Sequence, residues 1–164
     1  MITRGIAKNY FMSKFSKLKM KKSYGGASIS LDLSAFGHKL DIAQDALDAQ
    51  VWADMQKYMP MDKGTLIAQT DILNQSTRGE VYCYPPSSDY GHYQWEGYKY
   101  VDPVYNIGAF YSEDYGYWSR PGIPKVKSEV PLFYQRPSAE AHWDEKAYDA
   151  HKKDWLRVAR KAMR

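Results

Sequence analysis

Four histidines, at positions 38, 92, 142 and 151, and one cysteine, Cys83, are the side chains best suited to metal binding or nucleophilic chemistry. A metal centre built on a helix needs ligands three or four residues apart, so that they share one face. His92 and Glu96 meet that spacing, as do His142 and Glu145, but each pair stands alone, and a carboxylate-bridged di-metal site needs a second copy of the motif. Cys83 would act as a nucleophile only beside a partner histidine. It sits in the alternating run Gly79-Glu-Val-Tyr-Cys-Tyr84, where a small half-buried side chain is expected. Glu80, Glu96 and Asp114 could supply the carboxylate pair of a glycosidase, with tryptophan and tyrosine lining a sugar cleft, but any tyrosine-rich chain with acids meets that test. The sequence has no glycine-rich phosphate loop, nucleophile elbow or Walker-type lysine. We therefore expect no turnover, no metal and no cofactor. The natural work of His142 is then a hydrogen bond at a helix start, or stacking beside Trp143.

With no chemistry to position, the composition speaks for surfaces. Tyrosine occurs 15 times in 164 residues. Its apolar body and polar tip suit wet, flat contacts between proteins, and its strand propensity suits a strand-rich segment. The two readings are compatible. The length fits one domain and the 44% hydrophobic content supports a core. A single cysteine allows no intrachain disulfide framework, which points to a reducing compartment. No apolar run reaches the ~18 residues of a membrane span, and the N-terminus lacks the apolar core of a secretory signal.

Net charge is +4, unevenly placed: Arg4, Lys8, Lys14, Lys17, Lys19, Lys21 and Lys22 give residues 1–24 a charge of +7 with no acid, leaving −3 for the rest. Residues 1–24 read as a basic N-terminal arm and 25–164 as a single domain. Ile2, Ile6, Tyr10, Phe11, Phe15 and Leu18 recur roughly at helical spacing along the arm, so it could dock on an acidic protein, nucleic acid or a membrane surface. An inert solvated arm, an organelle transit peptide and a start at Met20 are the other readings.

Tyr24-Gly-Gly-Ala27 reads as a joint, and Ile29-Ser-Leu-Asp-Leu33 as a short strand. Ser34 offers a helix N-cap. Phe36, Leu40, Ala43, Leu47, Val51, Met55 and Tyr58 make one apolar stripe along a long helix closed by Pro60, with Asp41, Asp45, Asp48 and Asp54 on solvated faces. Leu66 to Thr70 suggests a short helical turn, and residues 71–84 a strand pair turning at Arg78-Gly79. Tyr90 to Tyr134, dense in tyrosine, glycine and proline, shows no helical periodicity and reads as a long excursion of irregular strands with a turn near Glu113-Asp114. Ser138 is placed to cap a closing helix with Trp143, Ala147, Ala150, Val158 and Ala162 inward.

Four blocks in order carry a resemblance. Ile29–Leu40 has an Asp-Leu-Ser-X-Phe strand-to-helix opening. Pro60, Asp62, Gly64 and Leu66 form a Pro-X-Asp-X-Gly-X-Leu turn. Tyr90, Tyr93, Gln94, Trp95, Glu96 and Gly97 lie in a Tyr-X-X-Tyr-Gln-X-Glu-Gly block. His142, Trp143 and Glu145 belong to Ala-X-X-His-Trp-X-Glu, continued by Asp149, His151, Lys152, Asp154 and Trp155. Together these resemble the minor capsid or head–tail connector proteins of tailed phages, close to the tail-completion (neck) proteins. Gly91 departs from the alanine usual there, and the basic arm lies outside the resemblance. The resemblance implies an α+β subunit in which a long helix in the N-terminal half and a C-terminal helix pack on an antiparallel sheet. It also implies a homo-oligomeric ring, six- or twelve-fold, joining head to tail. Its partners would be other neck, portal-adaptor or tail-tube proteins, with DNA passing non-specifically through the lumen. The expected place is the virion, with no membrane partner.

Two alternatives accompany this reading: a tail-completion or terminator ring, and a carbohydrate- or host-surface-binding virion module using the Tyr/Trp loop. A nucleic-acid-binding protein, motivated by the arm alone, is weaker because lysines without a reading motif specify little.

Overall fold

The computed structural model describes residues 19–24 and 27–164. The chain is α+β. Two strands, β1 (Lys19–Tyr24) and β2 (Ala27–Asp32), form an antiparallel ribbon in which Lys19 lies opposite Asp32, with Nζ 3.2 Å from its carboxylate. The last six residues of the basic arm are therefore β1, with Lys19, Lys21 and Lys22 exposed. Arg4, Lys8, Lys14 and Lys17 lie outside the described residues.

Helix α1 (Ser34–Met55) follows directly. Its cap comes from the Asp32 carboxylate, which accepts the Ser34 N–H at 2.9 Å, rather than from the Ser34 hydroxyl. An aspartate two residues earlier reaches the orphan amide equally well. The apolar stripe holds in the second half, where Val51 and Met55 are buried, and fails at the start, where Phe36 is exposed. The helix stops at Met55, before Pro60; the amides of Lys57 and Tyr58 close its end as a turn on Asp54 O and Met55 O, and the carbonyls of that turn are taken by a distant segment described below.

The expected strand pair over 71–84 is replaced by helix α2 (Thr65–Ser76) and an irregular stretch after it. Leu66 and Thr70 share the buried face of α2, and its amide side chain Asn74 holds Tyr82 as a strand would, accepting its N–H at 2.7 Å and donating to its carbonyl at 3.1 Å. The alternation of Val81 and Cys83 is real, since both are buried, but a side chain supplies the pairing.

A second correction falls on Tyr90. Asp89–Glu96 is a helix, α3, capped by the Ser88 hydroxyl accepting Gly91 N–H at 3.0 Å and ended by Gly97 at φ 74°. The excursion then gives β3 (Tyr98–Val101), β4 (Phe110–Ser112), β5 (Gly116–Trp118) and β6 (Val126–Pro131). β4 and β5 pair about the turn at Glu113-Asp114 as expected, and β3 pairs with β6. Among the described residues, antiparallel pairing is thus shared among three two-stranded ribbons rather than one sheet. The closing helix, α4 (Trp143–Ala162), packs on α1. Val51, Trp52, Met55, Met59, Leu66, Val81, Cys83, Trp143 and Ala147 make the core.

Candidate functional site

The residues singled out by motif converge on one junction, built from helix ends. A helix leaves its last carbonyls without internal partners, and those must be satisfied elsewhere. At the end of α3, the returning chain takes them: Tyr134 hydroxyl donates to Gln94 O at 2.5 Å, His142 N–H to Trp95 O at 2.9 Å, and Leu132 N–H to Gly97 O at 2.8 Å. At the end of α1 the same strap acts again, with Arg136 donating to Gln56 O at 2.9 Å, Ser138 hydroxyl to Lys57 O at 2.7 Å and Glu140 N–H to Tyr58 O at 3.1 Å. Ser138 therefore caps the C-terminus of α1, not the N-terminus of α4, which begins after His142 in a left-handed conformation.

Aromatic contacts close the junction. The Trp95 indole N–H donates to Asp144 at 2.7 Å, and its ring meets His142 edge-on at 4.2 Å. His142 thus stands at a helix start but leans on Trp95 rather than on Trp143. Trp143 is fully buried and donates to Cys83 O at 3.2 Å. Burial pushes the Cys83 thiol well above its ordinary range, the opposite of an activated nucleophile.

The other motif residues flank this junction. Pro60, Asp62, Gly64, Leu66 and Tyr90 line a small pocket of about 140 Å³, and Gly64, at φ 78°, opens α2. Tyr93 packs on Tyr100 at 4.3 Å. Glu96 pairs with Lys127 at 2.6 Å, which holds its carboxyl below the usual range. Glu145 is exposed in the first turn of α4, where a negative charge favours the helix. Among the carboxylates considered for sugar chemistry, Glu80 is engaged by the Tyr82 hydroxyl at 2.9 Å and Glu96 by Lys127. No group of three or more metal-capable side chains gathers among the described residues.

Three residues that sequence spacing did not separate from their neighbours prove central. Asp54, expected on a solvated face, is buried between α1 and α4, where Trp155 donates to it at 2.8 Å, Lys57 at 2.6 Å and Gln50 at 3.0 Å. Burial alone would raise its pKa, yet these donors win and lower it. Asp102 and Arg120 form a two-pronged pair at 2.6 and 2.7 Å, while Asp102 also accepts the N–H groups of Val104 and Tyr105 at 2.9 and 3.1 Å. The Arg120 head lies 5.1 Å from the Tyr105 ring centroid.

This pair braces an aromatic ribbon. Phe110 stacks on Trp118 at 4.8 Å on one face of β4–β5, and Tyr111 pairs with Tyr117 at 5.2 Å on the other. The Arg120 guanidinium holds the Asp102 carboxyl down to about 2. A carboxyl with a depressed folded pKa stabilises above its ordinary value of about 4 and loses that stabilisation as pH falls toward the folded value. Stability from this brace is thus complete at neutral pH and drains between about pH 4 and pH 2. Urea midpoints taken between about pH 5 and pH 2.5 should fall more gently for Arg120→Leu than for the natural chain.

A third feature is a cleft of about 560 Å³ between α1 and α4, floored by Leu47, Val51, Met55, Tyr148 and Trp155. Asp144, Glu145 and Asp149 stand along one side of it. No protein family, curated protein or solved structure matches the chain.

Proposed function

We propose that this chain is a structural subunit of a tailed-phage neck: a ring-forming minor capsid or head–tail connector protein that joins head to tail around the DNA channel. It acts in the virion by assembly, not by turnover. Its partners are further copies of itself and other neck, portal-adaptor or tail-tube proteins, with DNA passing through the lumen.

The reading is supported by the four ordered motif blocks and by one structural observation. Leu66, Trp95, Gly97, His142, Trp143 and Trp155 among the motif residues are spent on internal work, as core, cap and helix clamps, while large apolar side chains are left outside. Phe133 is 89% exposed, Tyr115 85%, Tyr117 80% and Tyr111 65%, all on the excursion between α3 and α4. Ile72 on α2 and Leu156 on α4 are exposed too. The exposed Tyr111–Tyr117 pair on the β4–β5 ribbon supplies aromatic surface suited to a partner, and the exposed Ile72 and Leu156 lie on other elements, as a ring that needs two different patches on each subunit requires. A tail-completion ring uses the same features. The Tyr111–Tyr117 pair keeps a sugar- or host-surface-binding module as the second reading, because exposed aromatic pairs also stack on sugars.

The test is deletion of the gene from a phage that carries it. Filled heads with separate tails, or heads that leak DNA, are the expected products by electron microscopy. Normal infectious particles would rule out the neck assignment, and particles that assemble but fail to adsorb would favour the surface-binding module.

A further inference from the structure

We propose that the cleft between α1 and α4 receives the basic N-terminal arm of a second copy of this chain. The inference rests on the assembly reading only in taking copies of the chain as neighbours. The floor of the cleft is apolar and its α4 side is acidic through Asp144, Glu145 and Asp149, all in the first two turns of α4. The α1 acids do not add to this: Asp41 and Asp45 are paired with Arg78, Asp48 accepts from Gln44 and Gly79 N–H, and Asp54 is buried against Lys57 and Trp155, so the acidic side is that of α4. Residues 1–18 carry the complement: Arg4, Lys8, Lys14 and Lys17 without an acid, and Ile2, Ile6, Phe11 and Phe15 as apolar anchors near helical spacing. An acid-sided apolar groove and a basic segment of that pattern are the two halves of a helix-in-groove contact. Asp149 is paired within α4 by the exposed Lys152, whose Nζ lies 3.6 Å away and 5.1 Å from the Tyr148 ring centroid, so an incoming lysine competes with Lys152 for that carboxylate.

Reach and charge select a neighbour's arm over the chain's own. Lys19 is fixed opposite Asp32 in the β1–β2 ribbon, at the start of α1. At about 1.5 Å of rise per residue, Leu47 lies about 20 Å further along that helix. The chain's own arm would use much of its length to arrive. It would also run beside the C-terminal half of α4, which comes back to the start of α1 (Lys39 Nζ donates to Arg164 O at 3.4 Å) and carries Lys152, Lys153, Arg157, Arg160 and Lys161. A neighbour's arm approaching from outside meets the acidic side first.

The full-length chain with the photo-crosslinker benzoylphenylalanine in place of Tyr148, mixed with isotope-labelled natural chain, provides the test. Irradiation should join position 148 to peptides from residues 1–18 across labelled and unlabelled copies. Yield should fall about tenfold at ~1 M salt, where the screening length shrinks to about 3 Å. An otherwise natural Asp149→Lys chain, its fold checked by circular dichroism, should self-associate about tenfold more weakly by sedimentation, a loss of about 1.4 kcal/mol. Crosslinks confined to one copy, crosslinks to another segment, or none at all would overturn the proposal, as would unchanged association of Asp149→Lys. Arm exchange in a protein absent from virions would support this proposal and defeat the neck assignment. Presence in virions without arm crosslinks would do the reverse.

Discussion

Trp143→Ala should cost about 3–5 kcal/mol of folding free energy, the range measured for emptying a buried aromatic site. Trp143 has no exposed surface, it sits among Met55, Met59, Val81 and Ala147 in the core, and its indole N–H is the partner of the Cys83 carbonyl. A domain of this size holds only about 5–15 kcal/mol in total, so the variant should be marginal, with low soluble yield and a urea midpoint shifted far down. Trp143→Phe keeps most of the ring volume but gives up part of the indole packing and the hydrogen bond to Cys83 O, so its loss should be smaller than that of Trp143→Ala, nearer about 1–2 kcal/mol. If the two variants unfold at the same urea concentration, packing is not what Trp143 supplies.

Gly97→Ala is the second large effect, at about 2–5 kcal/mol. Two costs add there. The position needs a left-handed backbone at φ 74°, which burdens an alanine by about 1–2 kcal/mol. An added Cβ would also stand 2.3 Å from the Ala141 Cβ, and overpacking of that kind costs typically about 1–3 kcal/mol. Gly116→Ala isolates the first cost, since φ is 68° there and nothing lies within 4 Å of the added carbon. The difference in urea midpoint between the two variants therefore measures how tightly the start of α4 is pressed against the end of α3. Equal destabilisation would mean that Ala141 gives way without resistance.

The long helices are legible in the sequence because apolar side chains at steps of three and four have only one regular solution; the stripes are kept in part, since Val51, Met55, Trp143 and Ala147 are buried while Phe36 on α1 and Ala150 on α4, both expected inward, are exposed. Helix α3 is not, because its eight residues are mostly aromatic or polar and its only signals are Ser88 at one end and Gly97 at the other. Asp54 reads like Asp41 and Asp45 along α1. What separates them is Trp155, which reaches Asp54 from the far end of the chain, and no local pattern contains that. Ser138 illustrates the same limit. Serine before a helix is a cap by type, and which helix it caps depends on where the strap lies. The Trp95 and His142 blocks are each visible as motifs and the structure joins them, whereas the Asp102–Arg120 brace joins residues whose types are common and whose spacing is meaningless until the ribbon folds.

The hydrogen bonds from Leu132, Tyr134 and His142 to the last carbonyls of α3 join the start and finish of the excursion at a single neck. A loop sealed at its base is insulated from its own contents: doubling its length costs only about 0.6 kcal/mol of closure entropy. The stretch from Ile107 to Ile123, beyond the contacts that Tyr100 and Lys127 make with Tyr93 and Glu96, is therefore the part of the excursion whose length bears least on the scaffold. Changing its length or its aromatic face would alter what the protein docks against while the helices and their clamp stay the same.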